Sequence, residues 1–180
     1  MRRLLPLLGL ALLAPARASA EVILRDIRWH LSPRVKGESR KYLPIDRWEQ
    51  APAKKLAGKP RAVLTVVNRG PKPADGVLLR YAVSARLVRV GEADKPGVWT
   101  VPFWVEDRRI MRLKPNEAKD VPIDNLTLDI FLRKMLLAGY WPDMLRIQAI
   151  VEPKAGETLD QRLLDKELPV GPPAASVPAR

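Results

Sequence analysis

The chain has 180 residues, no cysteine, one histidine and a formal net charge of +12. Without cysteine it can form no disulfide, thiolate zinc site or cysteine nucleophile, and one histidine argues against a histidine-based metal centre. A chain of this length forms one domain with a sizeable core, which must hold the fold without cross-links.

Residues 1–20 have the pattern of a secretory signal peptide. Two arginines open the segment, residues 4–13 are an apolar run, and residues 18–20 (Ala-Ser-Ala) form a small-x-small cleavage site. The apolar run is too short to span a membrane, and no later run is long enough. We therefore expect a soluble, extracytoplasmic mature chain (periplasmic or secreted) that begins near Glu21. No lipid anchor is expected, because no cysteine follows the cleavage site.

Residues 21–60 are predicted to contain one edge strand and a basic, proline-containing arm. Residues 22–29 have the strand-forming composition. Residues 31–60 contain four prolines and no sustained period, which favours a long irregular connection or an ordered arm. Eleven lysines and arginines against four acids in residues 25–61 make this segment the basic part of the chain. The apolar side chains that are able to pin the arm to the sandwich are Tyr42, Leu43, Ile45 and Trp48.

Residues 61–90 give the strongest secondary-structure signal. Two β-rich runs, 62–68 and 77–89, flank a turn that contains Asn68 and Gly76. The second run places alternate apolar residues on one face: Val77, Leu79, Tyr81, Val83, Ala85 and Leu87. A period of two with one apolar face is typical of an antiparallel sheet that covers a core on one side.

Residues 98–105 are predicted to form a strand that Pro102 confines to an edge or a bulge. Its core-facing residues are predicted to be Trp99, Val101, Phe103 and Val105, with Trp104 on the opposite face. Short strands over residues 109–113 and 119–123 follow, separated by a turn at 114–117.

Residues 125–138 predict a mostly apolar helix that Asp124 caps and Gly139 ends in the left-handed conformation. Such a helix must be covered, and we expect it to close one end of the sandwich or to pack on a sheet face. Residues 144–151 alternate cleanly and predict a further core strand. Residues 159–170 predict a last strand or short helix, and residues 171–180 a disordered tail.

Together these elements predict a mainly β fold over residues 61–170: an immunoglobulin-like antiparallel two-sheet sandwich with one apolar helix before the penultimate strand. The stretch T-V-V-N-R-G-P-K-P-A-D-G-V-L-L-R-Y resembles the strand–turn–strand of bacterial extracytoplasmic immunoglobulin-like domains, notably the cell-adhesion-related (CARDB-like) type. The matching residues are Asn68, Gly70, Ala74 and Gly76. The stretch A-G-Y-W-P-D-M-L-R-I-Q-A resembles the approach to the sixth strand of fibronectin type III domains, with Tyr140 as the corner tyrosine. The resemblance implies a fold and no particular activity.

The sequence predicts no enzyme, no cofactor and no metal site. His30 is the one imidazole, no G-x-S-x-G stretch accompanies it, and a structural or merely exposed role is the expectation for it. Calcium-binding and phosphate-binding loop patterns are also missing. Catalysis by two carboxylates stays open, because the spacing that matters is spatial.

The predicted function is a non-catalytic interaction module that binds a protein partner in the periplasm or at the cell surface. The alternative is an electrostatic binder of envelope polyanions (anionic lipid, polysaccharide or nucleic acid) through the basic arm. A sheet edge that accepts a partner strand is a further way to bind a protein. The candidate contact residues are Trp104, Trp48, Tyr42, Arg34, Lys36, Arg40, Lys41, Arg108 and Arg109.

Overall fold

The computed structural model describes residues 20–33, 41–92, 95–124, 126–153 and 158–171, and within them ten strands and one helix. In chain order the elements are β1 (Val22–Pro33), β2 (Leu43–Ile45), β3 (Trp48–Glu49), β4 (Gly58–Asn68), β5 (Ala74–Arg89), β6 (Val98–Trp99), β7 (Trp104–Leu113), β8 (Ala118–Asp124), α1 (Leu126–Leu137), β9 (Tyr140–Val151) and β10 (Leu163–Gly171). The predicted signal peptide up to residue 19, the arm cations Arg34, Lys36 and Arg40, and the tail after Gly171 lie outside the described residues.

The strands form two sheets. The smaller sheet has the order β2-β1-β4-β8, and the larger has the order β3-β10-β9-β5-β6, with β7 also paired to β5. The short β3 pairs parallel with β10, and the pairs along the rest of both sheets are antiparallel. The prediction of a mainly β, two-sheet sandwich with one helix before the penultimate strand is confirmed.

The core lies between the sheets and is built from alternate residues of each long strand. On β5, Leu79 and Tyr81 are buried while Arg80 between them is exposed. On β9, Leu145 and Ile147 are fully buried. The period-two interpretation of both runs is confirmed, because each strand presents one apolar face to the opposite sheet.

Asn68 joins three parts of the fold at the end of β4. Its side chain is fully buried. Its carboxamide nitrogen donates hydrogen bonds to the backbone carbonyls of Lys72, Leu113 and Lys114, at 2.8, 3.3 and 3.1 Å. Its Oδ1 accepts hydrogen bonds from the backbone N–H groups of Glu21 at 3.2 Å and Gly70 at 3.0 Å. One side chain therefore fixes the approach to β1, the β4–β5 turn and the end of β7.

The basic arm is partly built into the sheets. Leu43 pairs with Leu31 of β1, and Trp48 pairs with Val170 of β10. The Trp48 side chain is fully buried in the core. Strand β2 pairs with Trp29, His30 and Leu31 of β1, so β1 is an edge strand only outside these three residues. Strand β4 already begins at Gly58. The predicted boundary at residue 60 therefore falls inside a strand.

The single strand predicted over residues 98–105 is wrong. Trp99 of β6 pairs with Arg86 of β5. A separate strand, β7, starts at Trp104, which pairs with Val83 of β5. Arg86 belongs to the solvent-facing side of β5 and Val83 to its core side, so Trp99 faces outward and Trp104 faces the core. Val101, predicted to face the core, is 81 % exposed.

Helix α1 closes one end of the sandwich, as predicted. Leu128 and Leu132 are buried, and the Phe131 ring stacks on Phe103 with 3.7 Å between ring centroids. The helix ends at Leu137, and Gly139 takes the left-handed conformation (φ +80°) that glycine adopts without a Cβ penalty. In the described parts of the chain, no helix has the length and apolar character needed to span a membrane.

Candidate interaction face

Of the predicted contact residues of the arm, the structure describes Lys41, Tyr42 and Trp48, and these differ in exposure. The prediction that Trp48 contacts a partner is wrong, because its side chain has no exposed area and packs in the core. The Tyr42 ring is half-buried, and the Arg61 guanidinium lies 3.7 Å from its centroid. Lys41 is exposed. Lys54 and Lys55, further along the arm, are exposed as well. The described part of the arm thus offers exposed lysines and an aromatic ring that already stacks on an arginine.

Trp104 and Arg108 lie on the core-facing side of β7. The half-buried Trp104 ring meets the Tyr81 ring edge-on, at 5.1 Å between centroids. The Tyr81 hydroxyl donates a hydrogen bond to Glu106. Burial and that hydrogen bond raise the pKa of Tyr81, while Arg108 beside it opposes the rise. These groups lie along the β7 edge of the sandwich, where the Arg108 side chain is 46 % exposed. The contact role predicted for Trp104 and Arg108 stays a prediction.

Arg109 points to the other side, onto a broad and flat surface that we call the outer sheet face. It consists of the solvent-facing residues of β7, β5, β9 and β10, together with Trp99 of β6. Its members are Leu78, Arg80, Ala82, Ser84, Arg86, Trp99, Val105, Asp107, Arg109, Met111, Met144, Arg146, Gln148, Ile150, Leu163, Asp165 and Glu167. Apolar side chains here lie open to solvent, since Met111 is 77 % and Val105 59 % exposed.

Three arginine–carboxylate pairs cross the outer sheet face between neighbouring strands. Arg80 makes two hydrogen bonds to Asp107, at 2.8 and 3.1 Å. Arg146 meets Glu167 at 2.8 Å. Arg86 meets Asp143, at the rim of the face, also at 2.8 Å. Because both residues of each pair lie on sheet strands, their charges are fixed in position. A partner can bind them without the free-energy cost of ordering these side chains.

Trp99 lies beside two of these arginines. The Arg146 guanidinium carbon is 3.9 Å from the Trp99 ring centroid, and that of Arg86 is 6.0 Å away. A guanidinium within about 6 Å of an indole ring is attracted by the ring's negative face. Ser84, which pairs with Arg146 and precedes Arg86 by two residues on β5, is buried. The indole is therefore held in one place while part of it stays exposed.

Two of the ion pairs on this face shift the pKa of a member away from the neutral range. The hydrogen bond from Arg80 holds the pKa of Asp107 below its usual value. The hydrogen bond to Asp143 raises the pKa of Arg86. A carboxylate whose pKa is lowered is a poor general acid, because that role requires a proton at working pH.

His30 lies on the outer side of the smaller sheet, opposite Arg61. Partial burial lowers the pKa of His30, and the charges of Arg61 and Arg28 lower it further. Asp120 is held by Thr65 at 2.7 Å and by Arg28 at 2.8 Å. Asp120, whose charge acts on His30, is thus already bonded to other groups, which argues against a catalytic pair of these two residues.

Two depressions lie at the end of the sandwich where β1 begins. One, of about 170 Å³, is lined in part by Asp75 and Glu152, and Asp75 is paired with Arg112 at 3.6 Å. The other, of about 400 Å³, is open to solvent, and a hydrogen bond from Arg69 to Gln161 joins loops at its rim. No cluster of three or more metal-binding side chains occurs among the residues that the structure describes.

Comparison with protein-family models gives no match, and neither does comparison with curated proteins. The chain's own geometry therefore has to identify the site. Among the predicted contact residues that the structure describes, Arg109 alone lies on the outer sheet face. Sequence reasoning missed Arg80, Arg86 and Arg146, although their alternation with buried residues on β5 and β9 was visible, and it placed Trp99 in the core.

Proposed function

We propose that the protein is an exported, non-catalytic interaction module that binds a protein partner in the periplasm or at the cell surface through the outer sheet face. The observation that carries the proposal is the partly exposed Trp99, held beside Arg146 and Arg86 on the outer sheet face. Tryptophan and arginine are the residue types most enriched among the side chains that dominate binding energy at protein interfaces.

The face has the size of a small, transient contact. Four neighbouring strands about 4.8 Å apart, with solvent-facing residues over about 14 to 27 Å each, give roughly 400 Å². A standard protein interface buries about 800 Å² on each partner, and transient ones bury less. A mixture of exposed apolar side chains such as Met111 with fixed ion pairs matches the composition of such surfaces.

We also propose that the sandwich is immunoglobulin-like, and the strand order supports this. If β1, β4, β5, β7, β8, β9 and β10 are lettered A, B, C, C′, E, F and G, the sheets read A-B-E and G-F-C-C′. Immunoglobulin-type sandwiches arrange strands A, B and E against C, F and G in this way. The outer sheet face is then the exposed side of the G-F-C-C′ sheet.

Capture from an envelope extract tests the proposed function. We expect immobilised mature protein to retain one protein at low and at high salt, because an interface centred on Trp99 depends little on long-range charge. Replacing both Trp99 and Arg146 with alanine should weaken binding of that protein at least about thirtyfold, the effect expected for a dominant contact. Leu43→Ala is the matched control, since Leu43 is 60 % exposed but lies on the smaller sheet.

Two results would contradict the proposal. Recovery of anionic polymers alone, released by salt, would favour the polyanion alternative. Equal capture by the Trp99/Arg146 double variant and by the wild type would show that the partner binds elsewhere.

A further inference from the structure

One end of the sandwich carries an unusual share of the exposed apolar side chains. Eleven large hydrophobic residues are exposed in the described parts of the chain, and six of them lie at this end. We call this set the apolar end: Val90, Val98, Val101, Ile130, Leu137 and Tyr140. Single exposed apolar residues are ordinary on protein surfaces, but a concentration at one place indicates a contact site.

Backbone and ring contacts bring these residues together. Val90 donates a hydrogen bond to the carbonyl of Gly139, at 2.9 Å, which joins the end of β5 to the end of the helix. On β5, Arg89 pairs with Tyr140 of β9. Leu87, two residues before Arg89, pairs with Val98 of β6. The stack of Phe103 on Phe131 fixes the helix beside the loop that carries Val101.

The residue types indicate what this end contacts. Val98, Val101 and Leu137 are 74 %, 81 % and 85 % exposed, so they protrude instead of lying in a groove. Valine and leucine are under-represented among the dominant contacts of protein interfaces. Protruding aliphatic side chains gain free energy when they enter the boundary between headgroups and acyl chains of a lipid bilayer, and tyrosine favours the same depth.

The charges around the apolar end are mainly positive. Arg89, Lys95, Arg133 and Lys134 are exposed there, whereas the two acids at this end, Glu92 and Asp129, are partly buried. Glu92 is already shared between Lys95, at 2.8 Å, and Arg89, at 4.0 Å. Basic side chains beside inserted apolar ones add attraction to anionic headgroups. The positive rim therefore favours an anionic lipid surface as the occupant.

We propose that the apolar end docks on the surface of a membrane that contains anionic phospholipid, with Val101 and Leu137 entering the headgroup–acyl boundary. This goes beyond the proposed protein contact. It uses other side chains than the outer sheet face, so failure of one proposal leaves the other standing. A domain docked in this way stands on the membrane with the sheet faces free at its sides.

Co-sedimentation with lipid vesicles tests the proposal. The mature protein should bind phosphatidylcholine vesicles that contain phosphatidylglycerol and bind vesicles of phosphatidylcholine alone much more weakly. The double variant Val101→Asp/Leu137→Asp should lower the partition coefficient at least about tenfold, because it replaces inserted apolar area by charge. Met111→Asp is the matched control, since Met111 is 77 % exposed on the outer sheet face, and it should leave binding unchanged.

Each other outcome overturns the proposal. The proposal is wrong if the wild type binds neither kind of vesicle. It is also wrong if the control and the double variant lose binding equally. Self-association that the double variant abolishes, without vesicle binding, would assign this end to a second copy of the chain. Thermal unfolding of all variants should match the wild type, because the substituted side chains are mostly exposed.

Discussion

Replacing Asn68 with aspartate is expected to lower the free energy of unfolding by about 4 kcal/mol at pH 7. The carboxylate keeps the shape of the side chain but has no N–H to donate to the three carbonyls that the carboxamide holds. Each buried group left without a partner costs about 1–3 kcal/mol, and a buried charge that faces carbonyl oxygens adds to this. For a domain of this size the midpoint of thermal unfolding should fall by roughly 8–16 °C.

The pH dependence of this variant identifies the cause. Facing carbonyl oxygens in a buried site raises the pKa of an introduced carboxyl above its unfolded value, so the folded state binds the proton more tightly. The loss of unfolding free energy relative to the wild type should be largest at pH values above the raised pKa. It should shrink as the pH falls toward about 4, the pKa of the carboxyl in the unfolded chain.

Asn116→Asp is the matched control for the Asn68 variant. It makes the same chemical change at an exposed turn with φ 58°, a conformation that aspartate tolerates. It should cost less than about 0.5 kcal/mol. Urea unfolding of both variants checks the prediction, and an Asn68→Asp protein as stable as the Asn116→Asp protein would contradict the organising role of Asn68.

Replacing Trp48 with alanine is the second large effect, expected to cost about 3–5 kcal/mol of unfolding free energy. The indole is fully buried, and it anchors the basic arm to the core through the strand that pairs with β10. Its loss leaves a cavity that a two-residue strand is too short to close. Urea unfolding followed by circular dichroism measures the loss.

Two comparisons separate core packing from other causes. Trp48→Phe should retain most of the stability, because the indole Nε1 has no hydrogen-bond partner to lose. Trp99→Ala, on the outer sheet face, should cost less than about 1 kcal/mol, the usual range for a surface cation–π contact. A Trp48→Ala protein no less stable than the Trp99→Ala protein would place Trp48 on the surface.

The sequence predicts the parts of the fold where local pattern and tertiary role agree. Strands β5 and β9 alternate because each covers a core on one side, and Gly139 ends the helix because the left-handed conformation suits glycine. The turn residue Asn68 was also visible, as part of the resemblance to bacterial immunoglobulin-like domains. Its five hydrogen bonds depend on residues up to 47 positions away, which no local pattern contains.

The candidate site was harder to predict for a physical reason. Around Trp99 and Val105 the more apolar side of the chain faces solvent. The rule that the apolar face covers the core therefore assigns the two faces of this stretch the wrong way round. Only the pairing of Trp104 with Val83 decides which side is inside. Trp48 is a similar case, since its burial depends on pairing with Val170 at the other end of the chain.

Alternate residues of β7 and β9 face the core while their neighbours form the outer sheet face. Because the chain has no cysteine, single cysteines introduced at adjacent positions report on this directly. With a thiol reagent, Met111→Cys and Gln148→Cys should react like free thiols, while Ile110→Cys and Ile147→Cys should react at least about a hundredfold more slowly, at the rate at which the fold opens. Equal labelling within each adjacent pair, or faster labelling at Ile110 and Ile147, would contradict the account.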